Sequence, residues 1–156
     1  MEYEYSFKVK SLKPYIEYCL KNDYTLESDN KQQGIIYRGP DRTLARIKIN
    51  ITSKGNTVKK LDFKEEDFTK TLLKERRDSL ALEFSDDKAV ETILEFLNYK
   101  KYGSYLRRRQ VYTKNNVIFE LDYYIKSRNK VMAIEGLKEE VDKVYNEIKN
   151  IEKNEQ

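Results

Sequence analysis

The residues of this sequence best able to do chemistry are charged side chains sorted by sign along predicted β-strands. Alternate residues of a strand point to the same face, so "EYEYSFKV" places Glu2 and Glu4 on one face, about 6.6 Å apart. The later rows of the same kind are Arg46/Lys48, Lys60/Asp62/Lys64, Arg107/Arg109, Glu120/Asp122 and Glu135. Like charges that close together repel modestly, so strand stability does not account for the sorting.

Two interpretations of these rows are open. The ordinary one is that they form the solvated face of an antiparallel sheet, whose other face packs on the core. The other is that they bind a ligand with both positive and negative parts, such as a metal-bound polyphosphate. Carboxylates would hold Mg²⁺ or Mn²⁺ through oxygen, and arginine and lysine would bind the phosphates. If the sheet closes into a barrel, the charged rows would line a tunnel.

The composition narrows the chemistry further. The sequence has no histidine and one cysteine, which excludes Ser-His-Asp and Cys-His nucleophilic sites, His-ligated zinc and an internal disulfide. Cys19 lies in a helical pattern and is expected to be a small buried apolar residue. Catalysis would have to use carboxylates, lysine, arginine, tyrosine and an oxygen-ligated metal.

The length and composition of the chain are typical of a single globular domain with a charged surface. The 156 residues, 38% hydrophobic and 37% charged, predict a single domain over residues 1–156 with a modest core. The net charge of +4 arises from 31 basic and 27 acidic residues, which is weak support for a nucleic-acid partner. No apolar run is long enough to span a membrane and no signal peptide is recognised, so a cytoplasmic location without a membrane partner is expected.

Three amphipathic helices are predicted. The first covers "SLKPYIEYCLKN" with Ser11 as its N-cap, and the last covers about 137–152. The middle helix, "SDDKAVETILEFLNY", has Ser85 as its expected N-cap. Its predicted buried stripe comprises Val90, Ile93, Leu94 and Leu97.

The remaining segments predict short strands joined by tight turns. Candidates are 2–9, 24–27, 35–38, "LARIKINIT" and "VKKLDFK" around the turn "SKGN", "SLALEF", and a meander in the last third of the chain. The segment "EEDFTKTLLKERR" could be a short helix or irregular. About eight or nine strands and two or three helices indicate an antiparallel α+β fold, because tight turns cannot join parallel strands.

Short motifs in the same order along the chain carry a family resemblance. These are "EYEYSFKV", "RTLARIKI", "LDFKE", "RRRQVY", "FELD" and "AIEG". They resemble the CYTH superfamily of triphosphate tunnel metalloenzymes, which includes class IV adenylyl cyclases and triphosphatases. The resemblance implies an antiparallel β-barrel with a charged tunnel interior and flanking helices. The sequence departs from the pattern at Ser6, where the family has lysine, and at Ala133, where it has glutamate; in the middle acidic motif only Glu83 remains.

The resemblance also implies a division of roles. Divalent Mg²⁺ or Mn²⁺ would be held by Glu2, Glu4, Glu120, Asp122 and Glu135. Phosphates would be bound by Arg46, Lys48, Lys64, Arg107 and Arg109. Catalytic roles would fall to Glu2, Glu4 and Lys8, with Lys8 on the same row as Ser6.

Several functions remain open at this point. The expected activity is metal-dependent hydrolysis of a triphosphate, either inorganic or on a nucleotide. The alternatives are an adenylyl cyclase, a binding module that has lost catalysis, and an open sheet whose charged face is only solvated. An RNA 5′-triphosphate end is a further candidate ligand, and a homodimer through the last helix is a further expectation.

Overall fold

Nine strands and three helices make up the described part of the chain, which in this computed structural model comprises residues 2–65, 73–76 and 81–154. The strands are β1 (Glu2–Val9), β2 (Thr25–Arg38), β3 (Thr43–Ile51), β4 (Thr57–Glu65), β5 (Leu73–Arg76), β6 (Leu82–Phe84), β7 (Lys100–Lys114), β8 (Val117–Tyr124) and β9 (Lys130–Gly136). The helices are α1 (Lys13–Lys21), α2 (Asp87–Phe96) and α3 (Lys138–Asn154), with a short 3₁₀ turn at Pro40–Arg42.

The strands form one sheet in the order β5-β1-β9-β8-β7-β2-β3-β4-β6. The pairings of β1 with β5 and β9, of β3 with β2 and β4, of β4 with β6 and of β8 with β9 are antiparallel. The predicted antiparallel α+β class with flanking helices is confirmed. Among the described residues, no helix is both long and apolar enough to cross a membrane.

The chain contains two compact units. The first contains β1, α1, β5, β8, β9 and α3, and the second contains β3, β4, β6 and α2. Strands β2 and β7 are each divided between the units, at residues 29/30 and 107/108. A single domain over residues 1–156 stays a prediction.

The core of the first unit lies between its strands and helices α1 and α3. The side chains of Tyr15, Phe119, Ile134 and Ile148 are fully buried there. Cys19 is buried among them, and this burial raises the pKa of its thiol to about 12. Side chains alternate along a strand. Because the apolar rows of these strands face the core, their charged rows point to the opposite face of the sheet.

The core of the second unit is smaller and packs against α2. Val90 and Leu94 of the helix are buried with Ala45, Ile47 and Leu61 of the sheet. The other two members of the predicted stripe are largely exposed, Ile93 by 53% and Leu97 by 47%. The helix contacts the sheet along a narrow i, i+4 line, and Ile93 lies about 100° around the helix from Leu94.

The N-terminal caps of α2 and α1 differ from the sequence predictions. Asp86, not Ser85, caps α2, because its carboxylate accepts a hydrogen bond from the Ala89 amide at 3.0 Å. Leu12 occupies the N-cap position of α1, while the Ser11 hydroxyl accepts from the Lys13 amide at 3.3 Å.

The strand boundaries also differ in places. The two strands predicted at 24–27 and 35–38 are one strand, β2, whose polar middle pairs with β3 from Lys31 onward. The turn predicted at "SKGN" joins β3 to β4, with Gly55 at a φ of +83° that favours glycine. Of "EEDFTKTLLKERR", Glu65 ends β4 and Leu73–Arg76 form β5, whereas 66–72 and 77 lie outside the described residues, as do Ser79 and Leu80 of "SLALEF".

The capping of α2 gives a stability prediction. Asp86→Ala is expected to lower the free energy of unfolding by about 1 kcal/mol, because the Ala89 amide loses its acceptor. Ser85→Ala is the matched control and should cost less than about 0.5 kcal/mol. Urea denaturation of both variants measures this, and a larger loss for Ser85→Ala would contradict the assignment.

Candidate functional site

Three carboxylates from three adjacent strands converge on the charged face of the first unit. Glu4 lies on β1, Glu135 lies opposite it on β9, and Glu120 comes from β8. One carboxylate oxygen from each lies within 4.8 Å of the other two. We call Glu4, Glu120 and Glu135 the acidic cluster; Glu4 is 7% exposed, and the other two are half-buried.

The position of Glu120 explains how the cluster forms without a glutamate at 133. Glu120 lies directly across from Ala133 in the pairing of β8 with β9. Ala133 is buried and its methyl group contributes no carboxylate. The third acid therefore comes from the neighbouring strand rather than from a second glutamate on β9.

The electrostatics of the cluster favour an added positive charge. The pKa of Glu120 is raised to about 7, chiefly by burial and also by a hydrogen bond with Glu135 and the charges of Glu135 and Asp122, while the charge of Arg109 opposes the rise. Carboxylates this close share a proton because both cannot ionise cheaply. A divalent cation would take the place of that proton, and three hard oxygen donors fit Mg²⁺ or Mn²⁺.

Arg109 holds two carboxylates beside the cluster. Its guanidinium forms a close ion pair with Glu120 and a bidentate pair with Asp122, at 2.7 Å from Nε and 2.8 Å from Nη2. Asp122 is 3% exposed. This candidate metal ligand is therefore engaged by Arg109, which the sequence assigned to phosphate.

Two predicted site residues of β1 are not members of the acidic cluster. Glu2 and Lys8 are both exposed. Glu2 lines an open pocket of about 580 Å³ together with Glu27, Asn116 and Gly136. Of the five predicted metal ligands, the structure brings together Glu4, Glu120 and Glu135.

The second unit carries four of the five predicted phosphate ligands on its charged face, and the fifth, Arg109, belongs to the first unit. We call Arg46, Lys48, Lys60, Lys64 and Arg107 the basic face. Lys48 lies directly opposite Lys60 in the pairing of β3 with β4. Like charges in that position destabilise a sheet, so an anion bound there would relieve the repulsion.

Asp62 neutralises part of the basic face. Lying opposite Arg46, it accepts a bidentate pair at 3.1 Å from Nε and 2.6 Å from Nη2. Burial raises the pKa of Asp62, but hydrogen bonds from Arg46 and the charges of Lys64 and Lys48 outweigh it, so the pKa lies below its usual value. Asp62 therefore stays ionised and fixes the direction of the Arg46 guanidinium.

Arg107 is held by polar side chains of the same unit. It is 4% exposed, and its Nε donates to Gln32 at 2.9 Å. Gln32 in turn donates to the Asn50 amide oxygen at 3.2 Å. The guanidinium carbon lies 4.6 Å from the centre of the Tyr105 ring.

Sequence reasoning included Asp62 in a charged row without giving it a role, and it did not include Gln32 and Tyr105 in the candidate site. The signal for Asp62 was present, because counting outward from the "SKGN" turn places it opposite Arg46. Gln32 and Tyr105 have no comparable signal, since Gln32 meets Arg107 75 residues away and Tyr105 meets Arg46 59 residues away along the chain.

Comparison with known proteins gives structural likeness only. No family model and no curated protein matches the sequence. The PH1012 protein from Pyrococcus horikoshii OT3 is similar with a TM-score of 0.75 and 21% identity, over 95% of this chain and 87% of that chain. HpAC1 from Hippeastrum, named a "putative adenylyl cyclase" with a dominant triphosphatase activity, is similar with a TM-score of 0.60 and 13% identity, over 96% and 87%.

A chain of the Mediator head module from Schizosaccharomyces pombe is also similar, with a TM-score of 0.69 and 12% identity over 96% of both chains. At such identities the likeness shows the fold and not the activity. The chain therefore shares the fold of these structures at low sequence identity.

Proposed function

We propose that the chain hydrolyses a triphosphate with the help of a divalent cation. The acidic cluster is the candidate site for Mg²⁺ or Mn²⁺ in the first unit, and the basic face is the candidate site for phosphate in the second unit. The observation that carries the proposal is the convergence of Glu4, Glu120 and Glu135. The similarity of the fold to HpAC1, which has triphosphatase activity by name, supports it.

Each part of the chain would make a separate contribution. The cation, when bound, would neutralise phosphate charge and polarise the phosphoryl group. Glu120 would release the proton that it shares with Glu135, and Arg109 would keep the carboxylates of Glu120 and Asp122 oriented. The basic face would position the anion, because phosphoryl transfer relies on positioning and charge stabilisation.

Binding without turnover is the second candidate. Arg46 and Arg109 are already engaged by internal carboxylates, which lowers the positive charge offered to a ligand. An adenylyl cyclase and a protein that acts on an RNA 5′-triphosphate share the same phosphate chemistry. Identification of the reaction products distinguishes these two activities from hydrolysis of a free triphosphate.

The acidic cluster gives the direct test. Phosphate release from tripolyphosphate and from ATP is expected with Mg²⁺ or Mn²⁺, and Glu4→Gln should lower it at least about 100-fold, because a charged ligand of the cation is lost. Glu17→Gln on the exposed side of α1 is the matched control and should retain full activity.

The outcomes separate the candidates. Equal phosphate release by wild type and Glu4→Gln would contradict a role for the cluster. Cyclic AMP formed from ATP would favour the cyclase. Calorimetric binding of tripolyphosphate without release of phosphate would favour the binding module.

A further inference from the structure

The Tyr105 ring lies unusually close to the backbone of β2. A Cβ atom added at Gly34 would lie 2.1 Å from the ζ carbon of Tyr105 and 2.2 Å from an ε carbon. No side chain larger than hydrogen fits beneath the ring in this position. Gly34 lies opposite Lys48 in the pairing of β2 with β3, so the ring covers the charged face of the second unit.

From this position the ring reaches two arginines of the basic face. The Arg107 guanidinium lies over the ring at 4.6 Å, in the range of a cation–π contact. The Tyr105 side chain also has a polar interaction with Arg46. The interactions form one series across four strands, which runs Asp62, Arg46, Tyr105, Arg107, Gln32, Asn50.

We propose that Tyr105 is a positioning residue that holds Arg46 and Arg107 in fixed directions, so that the two guanidinium groups bind an anion as a pair. The identity of the anion as a triphosphate rests on the proposed function; the positioning role rests on the contacts alone. Tyr105 acts through the arginines and needs no contact with the ligand.

The physical reason is preorganisation. A free arginine side chain loses substantial rotamer freedom when it binds a ligand, and that loss weakens binding. Arg46 is already fixed on one side by Asp62, and Arg107 by Gln32. Tyr105 supplies the second restraint for both, so less entropy remains to be lost when phosphate binds.

Two variants perturb Tyr105 differently. Tyr105→Phe keeps the ring over Gly34 and removes the hydroxyl. Gly34→Ala keeps Tyr105 intact but forces the ring away, because the new methyl group would occupy the place of its far end. Tyr102→Phe is the matched control, since Tyr102 is an exposed tyrosine of the same strand that contacts Arg38.

The first measurement is calorimetry with tripolyphosphate and Mg²⁺. Tyr105→Phe and Gly34→Ala are each expected to weaken binding roughly five- to tenfold, and Tyr102→Phe to leave it unchanged. Combining Tyr105→Phe with Arg46→Lys should weaken binding by less than the product of the two single effects, because both act through Arg46. A merely structural role would give multiplicative effects.

The second measurement does not need the ligand. NMR relaxation of arginine Nε–H groups should show greater motion of Arg46 in both variants, while Arg108, which pairs with Asp29, stays unchanged. Unchanged Arg46 motion in both variants overturns the positioning role. If wild type fails to bind tripolyphosphate but Arg46 loosens as expected, the proposed ligand is wrong and the role of Tyr105 stands.

Discussion

Arg109→Gln is expected to lower the free energy of unfolding by about 3–5 kcal/mol, since it leaves two carboxylates in the first unit without their cation. Asp122 is 3% exposed and Glu120 has 14% of its side chain exposed. Glutamine can still donate a hydrogen bond but carries no charge to offset theirs. Urea or guanidinium denaturation at neutral pH in the presence of a chelator measures the loss.

The neighbouring residue of β7 supplies a matched control. Arg108 makes the same kind of bidentate pair, with Asp29, at 2.8 Å from Nε and 2.6 Å from Nη2, but 56% of its side chain is exposed. Arg108→Gln should therefore cost less than about 1 kcal/mol, because solvent screens an exposed pair. An equal loss of unfolding free energy in the two variants would show that burial does not determine how much the Arg109 ion pairs stabilise the fold.

The arrangement of the charged rows was predictable because it depends on local alternation. A period of two along a strand fixes which residues share a face, and tight turns fix which strands are antiparallel neighbours. This is enough to place Glu4 and Glu120 on one face, as well as Arg46 and Lys48. The helical pattern around Cys19 also predicted correctly that this residue is buried in the core.

The partners of these residues depend on information that a single strand does not carry. Glu2 and Glu4 occupy the same row, and the register of β1 and β9 places Glu4 opposite Glu135, whereas Glu2 lies beyond the last pair, Tyr3 with Gly136. Whether Arg109 meets a ligand or Asp122 depends on the pairing of distant segments. The helical pattern of α2 was likewise insufficient to predict burial. Ile93 fits the apolar stripe of the pattern, but it lies beside the line along which α2 contacts the sheet and is largely exposed.

The protonation of Glu120 leads to an expected pH dependence of stability in the metal-free protein. Burial, together with the neighbouring carboxylates of Glu135 and Asp122, raises the pKa of Glu120 from 4.5 to about 7 in the folded state. Between these values the native state holds a proton that the unfolded state has released, so stability falls as the pH rises from about 5 to 8. The contribution of this group is on the order of 3 kcal/mol.

Glu120→Gln isolates this effect, because glutamine is uncharged at every pH and can still hydrogen-bond with Glu135. In a chelator, the loss of stability between pH 5 and 8 should be smaller for Glu120→Gln than for wild type, because the titration of Glu120 itself is removed. Mn²⁺ should stabilise wild type more at pH 8 than at pH 5, because a cation bound by the cluster competes with the shared proton. Parallel pH profiles of wild type and Glu120→Gln would mean that Glu120 ionises normally, and the acidic cluster would then have no electrostatic need for a cation.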